Sequence, residues 1–228
     1  MRLLLFDIDG TLLTVHHGLS KNIFCQALSE TFDRPIIWQG YPGNRYTDKA
    51  MALDLLHASG YHGDPTAELR RAFARMGQLW GEHRDTAELH IFSGVRDLLS
   101  KLSQQEQVTL GIVTANGRPS AWGKLNAAQL QHIPFQVGAY GHEATDRNDL
   151  PQLAIDRASQ LLGQPINGQN TIVIGDTPAD IACARAVGAK AVAVATGRYS
   201  PTDLAPHQPD TLLETLSDVH QVFRLLTR

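Results

Sequence analysis

The sequence predicts an α/β fold in which a parallel sheet of about five strands carries helices on both faces, with a helical segment inserted after the first strand. Three observations carry that expectation. From about residue 89 onward, short apolar runs rich in branched residues alternate with helix-length stretches, the pattern of strand–helix–strand crossovers. Ahead of them, Leu3-Leu4-Leu5-Phe6 is an apolar run too short to show a helix period and stops at an acidic residue. Between the two, residues 15 to about 85 space their apolar residues for helices and offer no convincing strand. The expected boundaries are therefore 1–14 plus 89–228 for the α/β core and 15–88 for the insertion.

The opening run continues into Asp7-Ile8-Asp9-Gly10-Thr11-Leu12 and reads as a buried strand ending in an acidic loop. Residues i and i+2 of a strand point to one side, so Asp7 and Asp9 are expected to project into one small space. Two carboxylates crowded there repel each other unless a metal or donor groups balance them.

In the insertion, Ile23, Phe24, Ala27, Leu28 and Phe32 share one helical face. Met51, Leu55 and Leu56 share a second, and Leu69, Phe73, Met76 and Trp80 a third. Arg34-Pro35, Tyr41-Pro42-Gly43 and Gly63-Asp64-Pro65 separate them as stops or starts. These stripes read as the core of a small helical module.

Beyond it, Leu98, Leu99 and Leu102 mark a helix after Gly94, and Val108–Thr114 reads as a buried strand. Phe135–Ala139 is a weaker strand, Thr171–Gly175 a strong one, and Ala191–Val194 another. Helices are expected at about 119–131, 149–163 and 178–187, with Pro119, Pro151 and Pro178 near their starts, where a missing N–H costs nothing. In such a sheet the C-terminal strand ends and the N-termini of the following helices share one edge, which favours anions. Thr114-Ala115-Asn116-Gly117 lies on that edge, as does Gly175-Asp176-Thr177-Pro178-Ala179-Asp180. Asp176 and Asp180 joined to the opening pair make a hard-cation site of the magnesium type.

Bulk properties narrow the function. The 228 residues are 43% hydrophobic and 19% charged with a formal charge of -3, a globular composition without the basic stripe a nucleic-acid or membrane surface would need. Cys25 and Cys183 belong to no CxxC or Cys/His cluster and read as free thiols in a reducing compartment. The N-terminal apolar run is too short for a signal peptide or a membrane span, so the expectation is a cytoplasmic monomer or homodimer.

The Asp7-to-Leu12 stretch, the strand ending in Thr114 and the Gly175-to-Asp180 stretch resemble, in order and spacing, motifs one, two and four of the haloacid dehalogenase-like hydrolase superfamily. The helical insertion resembles the cap of its phosphoglycolate phosphatase-like branch. The resemblance implies a Rossmann-like core and a Mg2+-dependent phosphatase acting on a small phosphorylated metabolite through an aspartyl phosphate. It implies Asp7 as nucleophile, Asp9 as general acid and base, and Thr114 as a holder of a phosphoryl oxygen. Gly10, Ala115 and Asn116 would lie against the substrate, and Asp176 with Asp180 would bind the metal alongside Asp7 and the Asp9 carbonyl. Dehalogenases of the family lack an acid at the second position, so Asp9 argues for phosphoryl transfer.

The family's third motif is usually a lysine, yet no lysine occurs between Lys124 and Lys190. Arg147 is the expected replacement, able to bridge phosphate and carboxylate with its fork, and Arg118 and Lys124 are the alternatives. Within the cap, Arg45 or Lys49 is expected to meet a substrate carboxylate or second phosphate. His16 and His17 belong to a hinge or to a wet loop, and His142-Glu143 is no zinc motif because position 146 is Asp146. A phosphomutase, and a phospho-responsive regulatory protein with poor turnover, are the competing readings.

Overall fold

The computed structural model describes residues 1–16, 18–38 and 47–227. Strand β1 (Arg2–Phe6) is followed by β2 (Leu13–Val15) and helices α1 (Leu19–Phe32), α2 (Asp48–Ala58) and α3 (Thr66–Glu82). Then come β3 (Leu89–Ile91), α4 (Val95–Ser103), β4 (Val108–Thr114), α5 (Arg118–Ala127), β5 (Phe135–Tyr140) and α6 (Leu150–Leu162). The chain ends with β6 (Thr171–Gly175), α7 (Pro178–Ala186), β7 (Lys190–Val194), α8 (Pro201–Leu204), β8 (Thr211–Leu213) and α9 (Val219–Thr227). No helix among the described residues is long and apolar enough to cross a membrane.

The sheet has six strands in the order β5-β4-β1-β6-β7-β8, and every neighbouring pair is parallel. Strand β1 sits inside it between β4 and β6, which is why all four residues from Leu3 to Phe6 are buried and the run reads as continuous rather than alternating. Its pleat still sorts them. Leu4 and Phe6 join the cluster that contains Leu98 of α4 and Leu125 of α5, while Leu3 and Leu5 join Ala154 of α6 and Ile181 of α7. The crossover helices on the two sides of β1 thus lie on opposite faces of the sheet. Such a change of direction opens a crevice at the C-terminal strand ends, and Asp7 is the first residue beyond β1.

Helices α1, α2 and α3 share a separate cluster built on Phe24, Leu28, Leu56, Met76 and Trp80. Leu13–Val15 pairs antiparallel with Leu89–Ile91, a two-stranded ribbon at both ends of the helical insertion. Helix α3 meets α5 closely, since a side chain on Gly123 would run into Trp80.

Three local features depart from the expected pattern. The sheet gains β8 at its edge, where only three half-buried residues pair with β7. Val15, expected to begin the helical segment, ends a strand instead. The helix expected over about 119–131 is Arg118–Ala127, and Pro119, Pro151 and Pro178 do stand in the first turns of α5, α6 and α7. Both cysteines are free.

Candidate active site

Asp7 continues from β1, and its backbone N–H donates to the Ile174 carbonyl of β6 at 2.9 Å, which fixes the residue at the junction of the central strands. Asp176 follows β6, and Asp180 lies in the first turn of α7. All three carboxylates are buried, and one oxygen of each lies within 4.8 Å of the others. The local backbone makes room for them. Gly10 sits at φ 86°, in the left-handed region, and a side chain there would collide with the Asp176 carboxylate, as would one on Gly197. Thr11 Oγ1 donates to Asp176 Oδ1 at 3.4 Å.

Arg147 stands in a short 3-10 turn ahead of α6 and is buried with the trio. Its Nη2 donates to Asp180 Oδ1 and lies 3.4 Å from Asp7 Oδ1, an ion-pair approach without hydrogen-bond geometry. Asp180 Oδ2 accepts from the Thr177 N–H at 2.9 Å and the Thr177 hydroxyl at 2.6 Å, closing a capping box. Both oxygens of Asp180 are therefore engaged. Asp7 Oδ1, in contrast, is buried with no hydrogen-bond partner among the described residues.

The crowding shows in the protonation of the trio. Burial pushes the Asp7 carboxyl up to about 7, against the pull of Arg147 and helped by Asp180 and Asp9. Burial, Asp180 and Asp7 push Asp176 up to about 8. Burial opposes the charge of Arg147, but Asp180 and Asp7 outweigh it and hold the guanidinium well above its ordinary range. Three carboxylates facing one guanidinium, all donors being oxygen and one oxygen buried unbonded, fit a hard divalent cation.

Asp9 has a different environment. Its Oδ2 accepts from Lys124 Nζ and from Asn116 Nδ2, each at 2.6 Å, and Lys124 also donates to Asn116 Oδ1 at 2.8 Å. Asn116 Nδ2 reaches Thr114 Oγ1 at 3.0 Å as well, so the end of β4 and α5 hold Asp9 through one network. The Asp9 carboxylate is not one of the trio; the metal contact that the resemblance implies for it runs through the main-chain carbonyl. A cavity of about 250 Å3 opens beside Asp9 and Lys124, walled on the other side by residues of the helical insertion.

The structure thus brings Asp7, Asp176, Asp180 and Arg147 together, with Asp9, Thr114, Asn116 and the Ala115-lined cavity beside them. Lys49 lies elsewhere, in another cavity, with Arg70 and His142. Arg45 and His17 are outside the described residues. Arg118 is exposed at the start of α5 and not part of the trio, whereas Lys124 pairs with Asp9 rather than Asp7. Sequence reasoning missed Asp48, whose buried carboxylate accepts the Gly117 N–H at 2.6 Å, because an acid after Thr47 at a helix start reads as an ordinary first-turn residue. Lys124 left a clearer trace. It shares the inward face of α5 with Ser120, Ala121 and Leu125, where a lysine needs a partner.

The profile of haloacid dehalogenase-like hydrolases matches residues 4–194. A phosphoglycolate phosphatase of Synechococcus elongatus is 33% identical over 140 residues, which span 61% of this chain and 62% of that relative. One from Aliivibrio fischeri is 25% identical over 220 residues, covering 93% of this chain and 92% of the relative. Among solved structures, CbbY from Rhodobacter sphaeroides in complex with phosphate shares the fold, with a TM-score of 0.64 at 17% identity and 96% of each chain covered.

Proposed function

Because the chain belongs to the haloacid dehalogenase-like hydrolase family, we propose that it is a Mg2+-dependent phosphatase that hydrolyses a small phosphorylated metabolite through an aspartyl phosphate on Asp7. The observation that carries this reading is the buried Asp7, one oxygen unbonded, at the crevice of the sheet, grouped with Asp176 and Asp180 and within electrostatic reach of Asp9. Phosphatase names among the relatives support the reaction class.

Asp7 and Asp176 would hold the cation, with the Asp9 carbonyl and with Asp180, whose oxygens already serve Arg147 and the α7 cap. When bound, the ion would neutralise the approach of a phosphate dianion to these carboxylates and polarise the phosphoryl oxygens. Without positive charge, two unit charges ~4 Å apart at an effective dielectric of ~20 repel by about 4 kcal/mol. Arg147 would add the fixed guanidinium that meets the transferring group.

A carboxylate oxygen of Asp7 attacks phosphorus in line, the phosphorus–ester oxygen bond breaks, and the leaving oxygen takes the proton of Asp9. Asp9 then removes a proton from water, whose oxygen attacks the same phosphorus. The acyl phosphate bond opens and inorganic phosphate leaves with Asp7 restored. Thr114 supplies its hydroxyl to a phosphoryl oxygen, and Lys124 with Asn116 holds the Asp9 carboxylate. Residues 15–88 act as a cap that excludes water during the first transfer.

The test is hydrolysis of an aryl phosphate by purified protein. Activity is expected with Mg2+, absent in chelator, and reduced at least 10³-fold by Asp7→Asn, in the range of losses seen when a nucleophile is removed. Equal rates in chelator, or a fully active Asp7→Asn protein, would overturn the mechanism.

A further inference from the structure

The cavity beside Asp9 is where the leaving half of an ester must sit, because the proton that releases it comes from that carboxylate. Its size and walls are specific. At about 250 Å3 it holds roughly eight waters at ~30 Å3 each, room for a leaving group of about ten heavy atoms. Phe24 and Trp38 meet edge to face across 5.8 Å, and both line it together with Trp80 and Met51. Phe24, Trp38 and Trp80 offer flat, weakly hydrated surfaces on which a ring stacks.

Two ammonium groups face the same space. Lys124 is committed to Asp9 and Asn116. Lys21, exposed on α1, forms no ion pair among the described residues and stands 5.3 Å from the centre of the Trp38 ring. An ammonium held over an indole at the rim of a pocket is placed to meet an anion on whatever lies against that indole.

We infer that the phosphatase proposed above takes a phosphomonoester whose small leaving group carries an aromatic or otherwise apolar face and a second anionic group, with Lys21 as the specificity-determining cation and Trp38 as the stacking surface. The inference rests on the phosphatase reading and extends it to the substrate class. Recognition of the anion would come from the cap helix, and recognition of the phosphate from the core.

The comparison that tests it is kcat/KM for 4-carboxyphenyl phosphate against 4-carbamoylphenyl phosphate, which match in shape and differ in charge, with phosphoglycolate as the small anion lacking an apolar face. The carboxylate ester should be preferred on the order of tenfold or more, mainly through KM, as expected for a hydrogen bond to a charged group. Lys21→Met should remove that preference and Lys21→Arg retain it, while Trp38→Ala should raise KM for both aryl esters. The product 4-hydroxybenzoate should quench tryptophan fluorescence at lower concentration in the native protein than in Lys21→Met. Hydrolysis without the carboxylate preference, a preference that survives Lys21→Met, or a higher kcat/KM for phosphoglycolate than for both aryl esters would overturn the substrate assignment and leave the phosphatase reading standing. No hydrolysis of any ester in Mg2+ would overturn both.

Discussion

Arg147 is the residue on which the charge balance of the site turns. It is buried against Asp180 and Asp7, with Asp176 in the same cluster, so its removal leaves three carboxylates around a space with no cation from the described residues. Breaking a buried pair by deleting one partner typically costs about 3–5 kcal/mol, because the remaining charge stays desolvated. Arg147→Ala is therefore expected to lower stability by about that much in chelator, read from urea unfolding. Arg147→Lys should recover part of it, since an ammonium keeps the charge but not the planar fork that spans two carboxylates. The surface pairs of Arg75 with Glu30 and Glu82 are the natural control, where solvent screening leaves little to lose when they are broken. If Arg147→Ala unfolds at the same urea concentration as Arg75→Ala, the guanidinium is not balancing the trio.

At the scale of elements, the first turn of α2 is stitched to the two loops that end β4 and β5. Thr47 Oγ1 accepts the Ala50 N–H and donates to the Thr145 carbonyl, while the N–H groups of Asp48 and Lys49 donate to Ala115 and Gly141 at 2.9 and 2.8 Å. Asp48 returns the contact through its carboxylate, which accepts the Gly117 N–H at the start of α5. Asp48→Ala leaves that buried N–H without a partner, so a loss of about 1–3 kcal/mol is expected, with faster amide exchange at Gly117. Asp48→Asn keeps an acceptor oxygen and should lose less. The elements themselves were largely legible, because buried parallel strands such as Thr171–Gly175 are continuous apolar runs and Pro119, Pro151 and Pro178 mark helix starts. The short strands were not. Thr211–Leu213 is defined by pairing with β7 rather than by its own pattern, and Leu13–Val15 by pairing with a segment more than seventy residues away. The stitches of α2 escaped for the same reason, since main-chain hydrogen bonds between distant loops leave no mark on residue type.

For the whole molecule, the site divides along the same line. Asp7, Asp9 and Asp176 were legible as candidates because carboxylates just beyond strand ends are conspicuous, Asp180 because it stands one turn into the helix after Asp176, and Arg147 because the resemblance left a missing lysine to replace. The pairing of Lys124 with Asp9 was not, because it depends on how α5 packs against the loop after β1. The packing also sets how stability responds to pH. Burial first, with repulsion inside the trio, raises Asp7 to about 7 and Asp176 to about 8; burial raises Asp48 to about 6 despite the Gly117 hydrogen bond. In the unfolded chain each of these groups titrates near 3.9. Between about pH 4 and pH 8 the native protein thus binds protons that the unfolded chain has lost, and in that window stability falls as pH rises. Glu143 and Asp210 act in the opposite sense. Burial pushes both up, but hydrogen bonds outweigh it and hold them below their usual range, so their contribution is lost only as pH falls below about 4. Burial also holds the His142 imidazole below its usual range, so its contribution is lost as pH falls through about 6.5, and thermal unfolding in chelator should show a maximum on the acid side of neutrality and a decline of several degrees by pH 8. Mg2+ bound as proposed would need the same carboxylates deprotonated, so it should raise the unfolding temperature more at pH 8 than at pH 5, where it would first have to displace their protons. A Mg2+ effect of equal size at both pH values, or a stability in chelator that rises from pH 5 to pH 8, would show that the buried trio is not what the cation binds.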